Sequence, residues 1–167
     1  MAQLRDEAEA LALGLEVGAV GRHEVTCWAD AKVLQQDSPH WTLCDVAVAA
    51  VAYPQDLAGL LRSIPGETSP SSAIRLLIQL LVVKWDRGSL PPKELASVLG
   101  QLWPRLENQR LQGLASYAWD ALDLAEEGLI EQSSAEIVRD LDAALHEAAH
   151  EAMTVGPRWE DGTLRTA

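Results

Sequence analysis

His146-Glu147-Ala148-Ala149-His150 matches the H-E-x-x-H pattern. On a helix, histidines at i and i+4 share a face. Both imidazoles can then ligate zinc, and the glutamate between them can act as general base on a metal-bound water. A zinc-dependent hydrolase using His146, Glu147 and His150 is therefore one reading of the chain. Such a centre needs a third protein ligand. The longer zincin pattern places it six residues beyond the second histidine, where this chain has Gly156. The other zincin arrangement needs a ligand on a later helix. Only 17 residues follow His150, with Glu160 and Asp161 the sole candidates. Glu151 also puts a charge directly after the second histidine. The motif fits two solvated histidines on an acidic helix better than a catalytic centre, and no cofactor is expected.

Carboxylates are the more pervasive chemistry. Residues 106–154 hold eleven acids against two bases, Arg110 and Arg139, a net of −9 in a chain of −12. Residues 1–66 sum to −5, residues 67–105 to +2, and the remainder from 155 is neutral. Asp120, Asp123 and Glu127 fall at i, i+3 and i+7, one helical stripe, and Glu136, Asp140 and Glu147 form a second at spacings of 4 and 7. A surface of one sign selects partners of the other. Trp119 sits beside Asp120 at the edge of the apolar stripe Leu111, Leu114, Ala115, Ala118, Leu122 and Ala125, where an aromatic can serve an interface. The expected partner-binding residues are thus Trp119, Asp120, Asp123, Glu127, Glu136 and Asp140. Paired carboxylates for glycoside hydrolysis need an opposed geometry in a cleft, which spacing alone does not supply. A di-metal bundle wants Glu-x-x-His from two helices, and the chain lacks that pair.

Composition narrows the class. The chain is 48% hydrophobic and 23% charged, a globular balance, and Phe is absent while Ala and Leu dominate. With pI near 4.6, direct nucleic-acid binding is not expected, because phosphate neutralisation needs clustered Lys and Arg. Cys27 and Cys44 read as buried free thiols, consistent with a cytoplasmic protein. Met1 to Glu9 is charged, without a signal-peptide core. The longest apolar stretch, Ile74 to Val83, is too short for a bilayer and contains Gln79, so no membrane partner is expected. Five of the six tryptophans, at 28, 41, 85, 103 and 119, lie in or beside helical patterns. All but Trp119 are expected in or near the core.

The elements that must position these residues are helices marked by their punctuation. The first runs from about Ala2 to Leu15, with Leu4, Ala8, Leu11 and Leu15 inward. Gly14, Gly18 and Gly21 break and end it. The second covers roughly His23–Gln36. Ser38-Pro39 is a cap followed by proline and predicts a third helix to about Ala52. Tyr53-Pro54 starts a fourth, ending near Ser63. Ser69-Pro70 opens a fifth through Trp85, apolar almost all round, with Arg75 and Gln79 its polar positions. Asp45 or Asp30 is the expected partner of that polar pair. A helix without a polar face is normally central. Pro91 and Pro92 start a sixth, ending near Trp103-Pro104. The seventh runs from about Glu107 to Glu127 and stops at Gly128. Ser133-x-x-Glu136 is a capping box for an eighth, to about Met153. The expected architecture is all-α: a single-domain bundle of about eight helices over 1–154 around the central helix 70–85, with an extended tail over 155–167.

Val25-x-x-Trp28-Ala29-Asp30, Pro39-x-Trp41, Asp45 and Leu60-Leu61-Arg62-Ser63-Ile64-Pro65-Gly66 resemble small all-helical bacterial immunity-type proteins of polymorphic and contact-dependent toxin systems. The similarity covers residues 20–90. It implies a stoichiometric inhibitor that binds a toxin domain, with no catalytic residues. The charge pattern fits such a role, since nuclease toxins are basic and an acidic inhibitor can steer onto them. The expected function is a non-enzymatic module binding a basic protein. The alternatives are the zinc hydrolase above and a structural helical subunit of a larger complex.

Overall fold

The computed structural model describes residues 2–159, and among them nine α-helices and one 3-10 turn occur without a strand. The helices are α1 (Ala2–Glu16), α2 (Arg22–Leu34), α3 (Trp41–Val48), α4 (Pro54–Arg62), α5 (Pro70–Asp86), α6 (Pro92–Leu102), α7 (Gln109–Ala115), α8 (Ala118–Glu126) and α9 (Ser134–Val155). The 3-10 turn, Trp103–Arg105, follows α6. None of these helices is long and apolar enough to cross a membrane. The described chain falls into two compact units, residues 2–77 with 156–159 and residues 78–155, and the division lies inside α5.

The first unit is built on α1, which packs against α4, while α3 packs on both α2 and α4. Sequence periodicity gives α1 a single inward stripe, yet the helix is buried nearly all round: Arg5, Asp6 and Glu7 are inside along with Ala8, Leu11 and Leu15. Buried charge persists only where it is paired, and each of these finds a partner. Glu7 Oε2 accepts from Trp28 Nε1 at 2.8 Å and lies 2.9 Å from Lys32 Nζ. Asp6 Oδ1 accepts from the Thr68 hydroxyl at 2.8 Å and the Ser69 amide at 2.9 Å, tying the approach to α5 onto α1. Arg5 pairs with Glu9 at 3.2 Å. Arg62 of α4 then bridges Glu9 and Glu16, and the bond to Glu16 holds its guanidinium well above the usual arginine range.

Local chemistry explains most helix starts. Pro54 and Pro92 sit at first-turn positions after extended Tyr53 and Pro91. The Ser69 hydroxyl accepts from the Ser72 amide at 3.4 Å. Gly18, with φ of 74°, ends α1 in the left-handed region, where only glycine is unstrained. Gly21 is the N-cap of α2, its amide donating to Glu24 Oε2 at 2.7 Å. The third helix departs from expectation. Ser38-Pro39 does not cap it, and His40 does, its Nδ1 accepting from the Thr42 amide at 3.3 Å. The helix also stops at Val48, four residues short of the expected Ala52, and the chain turns before extended Tyr53.

The second unit buries Leu80 and Leu81 of α5, Leu95, Leu99 and Leu102 of α6, Leu111 of α7, Leu122 of α8, and Ile137, Leu141 and Leu145 of α9. Each fully buried leucine contributes about 1.5–3 kcal/mol. The expected seventh helix over 107–127 is two, α7 and α8, separated at Ser116 and Tyr117. Tyr117 leaves helical geometry at φ −140°, and the Ser116 hydroxyl donates to the Gly113 carbonyl at 2.7 Å. Leu111, Ala115, Ala118 and Leu122 keep helical spacing straight through the break and all four are buried. The apolar pattern therefore carries no trace of it. α9 opens on the expected capping box: the Ser133 amide donates to Glu136 Oε2 at 2.8 Å and the Glu136 amide to Ser133 Oγ at 3.3 Å. Beyond Val155 the described chain is non-helical through Trp159, which is tucked in, its Nε1 donating to the Leu76 carbonyl at 2.8 Å. Residues 160–167 of the expected tail, with Glu160 and Asp161, lie outside the described residues.

Candidate functional site

The capping box sets α9, and α9 carries the histidine motif on its exposed side. His146 Nδ1 lies 2.9 Å from the Asp142 carbonyl and its Nε2 lies 3.1 Å from Asp86 Oδ1. The Asp142 carboxylate is in turn fixed by Trp85 Nε1 at 2.7 Å. Hydrogen bonding to the Asp142 carbonyl, with the charges of Asp86 and Asp142, raises the His146 pKa above its ordinary value. Glu147 pairs with Arg110 at 3.0 Å, and Glu151 accepts from Asn108 at 2.9 Å. His150 is exposed. The motif's members thus turn to different neighbours, and among the described residues no group of three or more His, Cys, Asp or Glu is arranged to hold a metal ion.

The acidic stripes are sorted by the fold. Asp123 does not stand free: Lys93 of α6 reaches it at 2.6 Å and Glu126 at 2.9 Å, and those bonds hold the ammonium well above the usual lysine range. Glu136 is engaged in the cap, where the Ser133 amide and hydroxyl lower its pKa. Asp140, half-buried, accepts from Gln132 at 3.4 Å. Among the described residues, the carboxylates of Asp120, Glu127 and Glu131 make no hydrogen bond or ion pair. All three lie between 120 and 131, on α8 and just after it. Sequence spacing could not separate them from Asp123, because Lys93 lies 30 residues away.

Aromatic and aliphatic groups share this stretch of the chain with the free carboxylates. Trp119 is 48% exposed, and Tyr117, Leu124 and Leu129 are exposed as well. Trp119, Tyr117 and Asp120 border an open depression of about 220 Å³ lined also by Ala96, Ser97, Gly100 and Ala115. Ser116 and Tyr117, at the break between α7 and α8, line it as well. The sequence names Trp119 and Asp120 as candidates for this surface; Tyr117, Leu124 and Leu129 are exposed beside them in the chain and carry no such signal. Their one signal was a position off the inward stripe, which most surface residues share.

The other tryptophans divide. Trp28, Trp85 and Trp159 are buried or half-buried and each donates its indole N–H. Trp41 and Trp103, expected in or near the core, are exposed. Cys27 and Cys44 are free thiols and half-buried rather than buried. Asp30 and Asp45, the expected partners of Arg75 and Gln79, are exposed.

No protein-family model, no curated protein and no solved structure matches this chain.

Proposed function

We propose that this protein is a non-enzymatic binding module whose working face is the exposed aromatic and acidic surface of residues 117–131, and that its partner is a basic protein, of the kind presented by a nuclease-like toxin domain. The observation that carries the reading is the juxtaposition on α8: a half-exposed Trp119 beside Asp120, with Glu127 and Glu131 also left without intrachain partners. An exposed tryptophan next to an unpaired carboxylate combines a large desolvated contact with long-range attraction. Asp123 supports the face through Lys93, Glu136 through the start of α9, and Asp140 through Gln132. An inhibitor of this kind needs no catalytic group, since it acts by occupying the toxin's phosphate-binding surface with carboxylates. The resemblance of residues 20–90 to immunity-type proteins points the same way.

The test is binding to a basic nuclease domain, the class of partner proposed, measured by calorimetry. Asp120→Lys with Glu127→Lys, and separately Trp119→Ala, are expected to weaken binding by about 30-fold or more, as hot-spot truncations do. Unchanged affinity in both variants overturns the assignment of this face.

A further inference from the structure

The first unit carries a second exposed surface that the acidic face of residues 117–131 does not explain. Five large apolar side chains between residues 34 and 53 stand in solvent: Leu34, Trp41, Val48, Val51 and Tyr53. Trp41 is 67% exposed, Val48 80% and Val51 90%. Scattered single apolar residues on a surface need no explanation, but a contiguous cluster marks an interaction site. Here helix geometry puts two of the five on one face, and Val51 and Tyr53 follow within five residues of it. Trp41, Asp45 and Val48 fall at i, i+4 and i+7, on one face of α3. The opposite face, Thr42, Leu43 and Val46, is buried. The stripe is also ordered: the Trp41 ring lies against the His40 ring, centroids 5.5 Å apart, and His40 is itself fixed as the N-cap of α3.

Charge decides what fits there. Residues 34–57 contain three aspartates, at 37, 45 and 56, and no lysine or arginine. None of those carboxylates makes a hydrogen bond or ion pair among the described residues. The carbonyl end of α3 falls at Val48 and adds partial negative charge. Arg22 of α2 reaches in only at the far end, donating to the Ala52 carbonyl at 3.3 Å. A second copy of this chain docking through a twofold would oppose Asp45 to Asp45 across the interface, and an anionic bilayer is repelled for the same reason. The stripe from Trp41 to Val48 spans about 10 Å at 1.5 Å per residue, two turns, the length over which a partner helix presents an apolar i, i+3/i+4, i+7 ridge.

We infer that this face of α3 docks a basic amphipathic helix of a partner protein. Its apolar ridge lies along Trp41 and Val48, with Val51 and Tyr53 at one end, and its lysines or arginines meet Asp45 and Asp37. The inference is independent of the function proposed for residues 117–131.

The test uses the full chain, isotope-labelled, titrated with a synthetic leucine–lysine helix of about 14 residues, long enough to form on docking, and with a matched leucine–glutamate helix. The leucine–lysine helix is expected to shift the Trp41 indole and the Val48 and Val51 methyl resonances. Trp41→Ser with Val48→Ser is expected to weaken it by about tenfold or more. Asp45→Lys is expected to weaken the leucine–lysine helix and strengthen the leucine–glutamate helix. Asp120→Lys with Glu127→Lys leaves both titrations unchanged, which separates this surface from the other. Shifts centred on Trp119, indifference to Asp45→Lys, a dimer seen by light scattering that Val48→Ser disperses, or equal binding to anionic phosphatidylserine vesicles would each overturn the inference. The substituted side chains are exposed, and Asp45→Lys removes no packing, so at least one variant reports on a folded protein.

Discussion

Glu7 is fully buried on α1 and faces the Trp28 indole and the Lys32 ammonium. Removing one member of a buried ion pair costs about 3–5 kcal/mol, whereas replacing both by apolar groups of similar volume is often neutral. Glu7→Ala is therefore expected to lower stability to urea by about 3–5 kcal/mol, and Glu7→Met with Lys32→Met to lose less than either single change. Additive losses in that cycle would show that the pair is not coupled. His146 offers a pH-dependent counterpart. Both ring nitrogens face oxygens, the carbonyl of Asp142 first among them, so its folded pKa lies above the ordinary 6.5. The sign follows from linkage: the stabilisation is complete below the unfolded pKa and disappears as pH rises through the folded one. The stability gap between wild type and His146→Gln should thus be largest in mild acid and close in alkali. The His146 proton titration by NMR should have its midpoint above 6.5, and a midpoint at or below that value contradicts the geometry. The H-E-x-x-H spacing was legible at once, yet the neighbours that engage it, Asp86 and Arg110, lie 60 and 37 residues away in sequence.

At the scale of elements, two glycines in helices make opposite predictions. Gly14 lies inside α1, and a methyl group there would meet the Val20 side chain and approach Leu77 Cδ1 at 3.3 Å. Val20 folds back over the helix end, its amide donating to the Gly14 carbonyl at 3.1 Å. Gly59 in α4 has open space around it. Alanine is the better helix former by about 0.5–1 kcal/mol, so Gly59→Ala should raise the melting temperature. Gly14→Ala should lower it, because overpacking costs about 1–3 kcal/mol and exceeds that gain. Thermal unfolding of both variants checks the pair, and a stabilised Gly14→Ala would mean the close approach of Val20 is not needed. Helix starts set by proline or by a capping box were readable because their chemistry is local: Tyr53-Pro54, Ser69-Pro70, Pro91-Pro92 and Ser133-x-x-Glu136 all open helices. The His40 cap and the Tyr117 break were not. The first replaces a stronger-looking Ser38-Pro39 signal, and the second leaves the apolar period intact. α1 reads as one-faced because Asp6 and Glu7 look solvated until Thr68, Trp28 and Lys32 are brought to them.

At the scale of the whole molecule, a chain of −12 projects a field that attracts basic partners from a distance. Stopped-flow association with the basic partner proposed for residues 117–131 should slow steeply between low and physiological salt, where screening falls to about 8 Å. Trp119→Ala should mainly speed dissociation, as truncation of a packed contact does. An association rate indifferent to salt would remove steering from the account. By itself the sequence determined that this protein is all-helical, where most of its helices begin, and that its C-terminal half is acidic, because backbone propensity, capping and net charge are local or additive properties. Only the tertiary structure decided which of those charges are available. Lys93 takes Asp123 and Glu126, Arg110 takes Glu147, and His146 and Trp85 take Asp142, leaving the Asp120, Glu127 and Glu131 carboxylates unpaired, Asp120 next to the exposed Trp119. Pairing depends on distances in space between residues far apart in the chain, and no spacing along the chain encodes them.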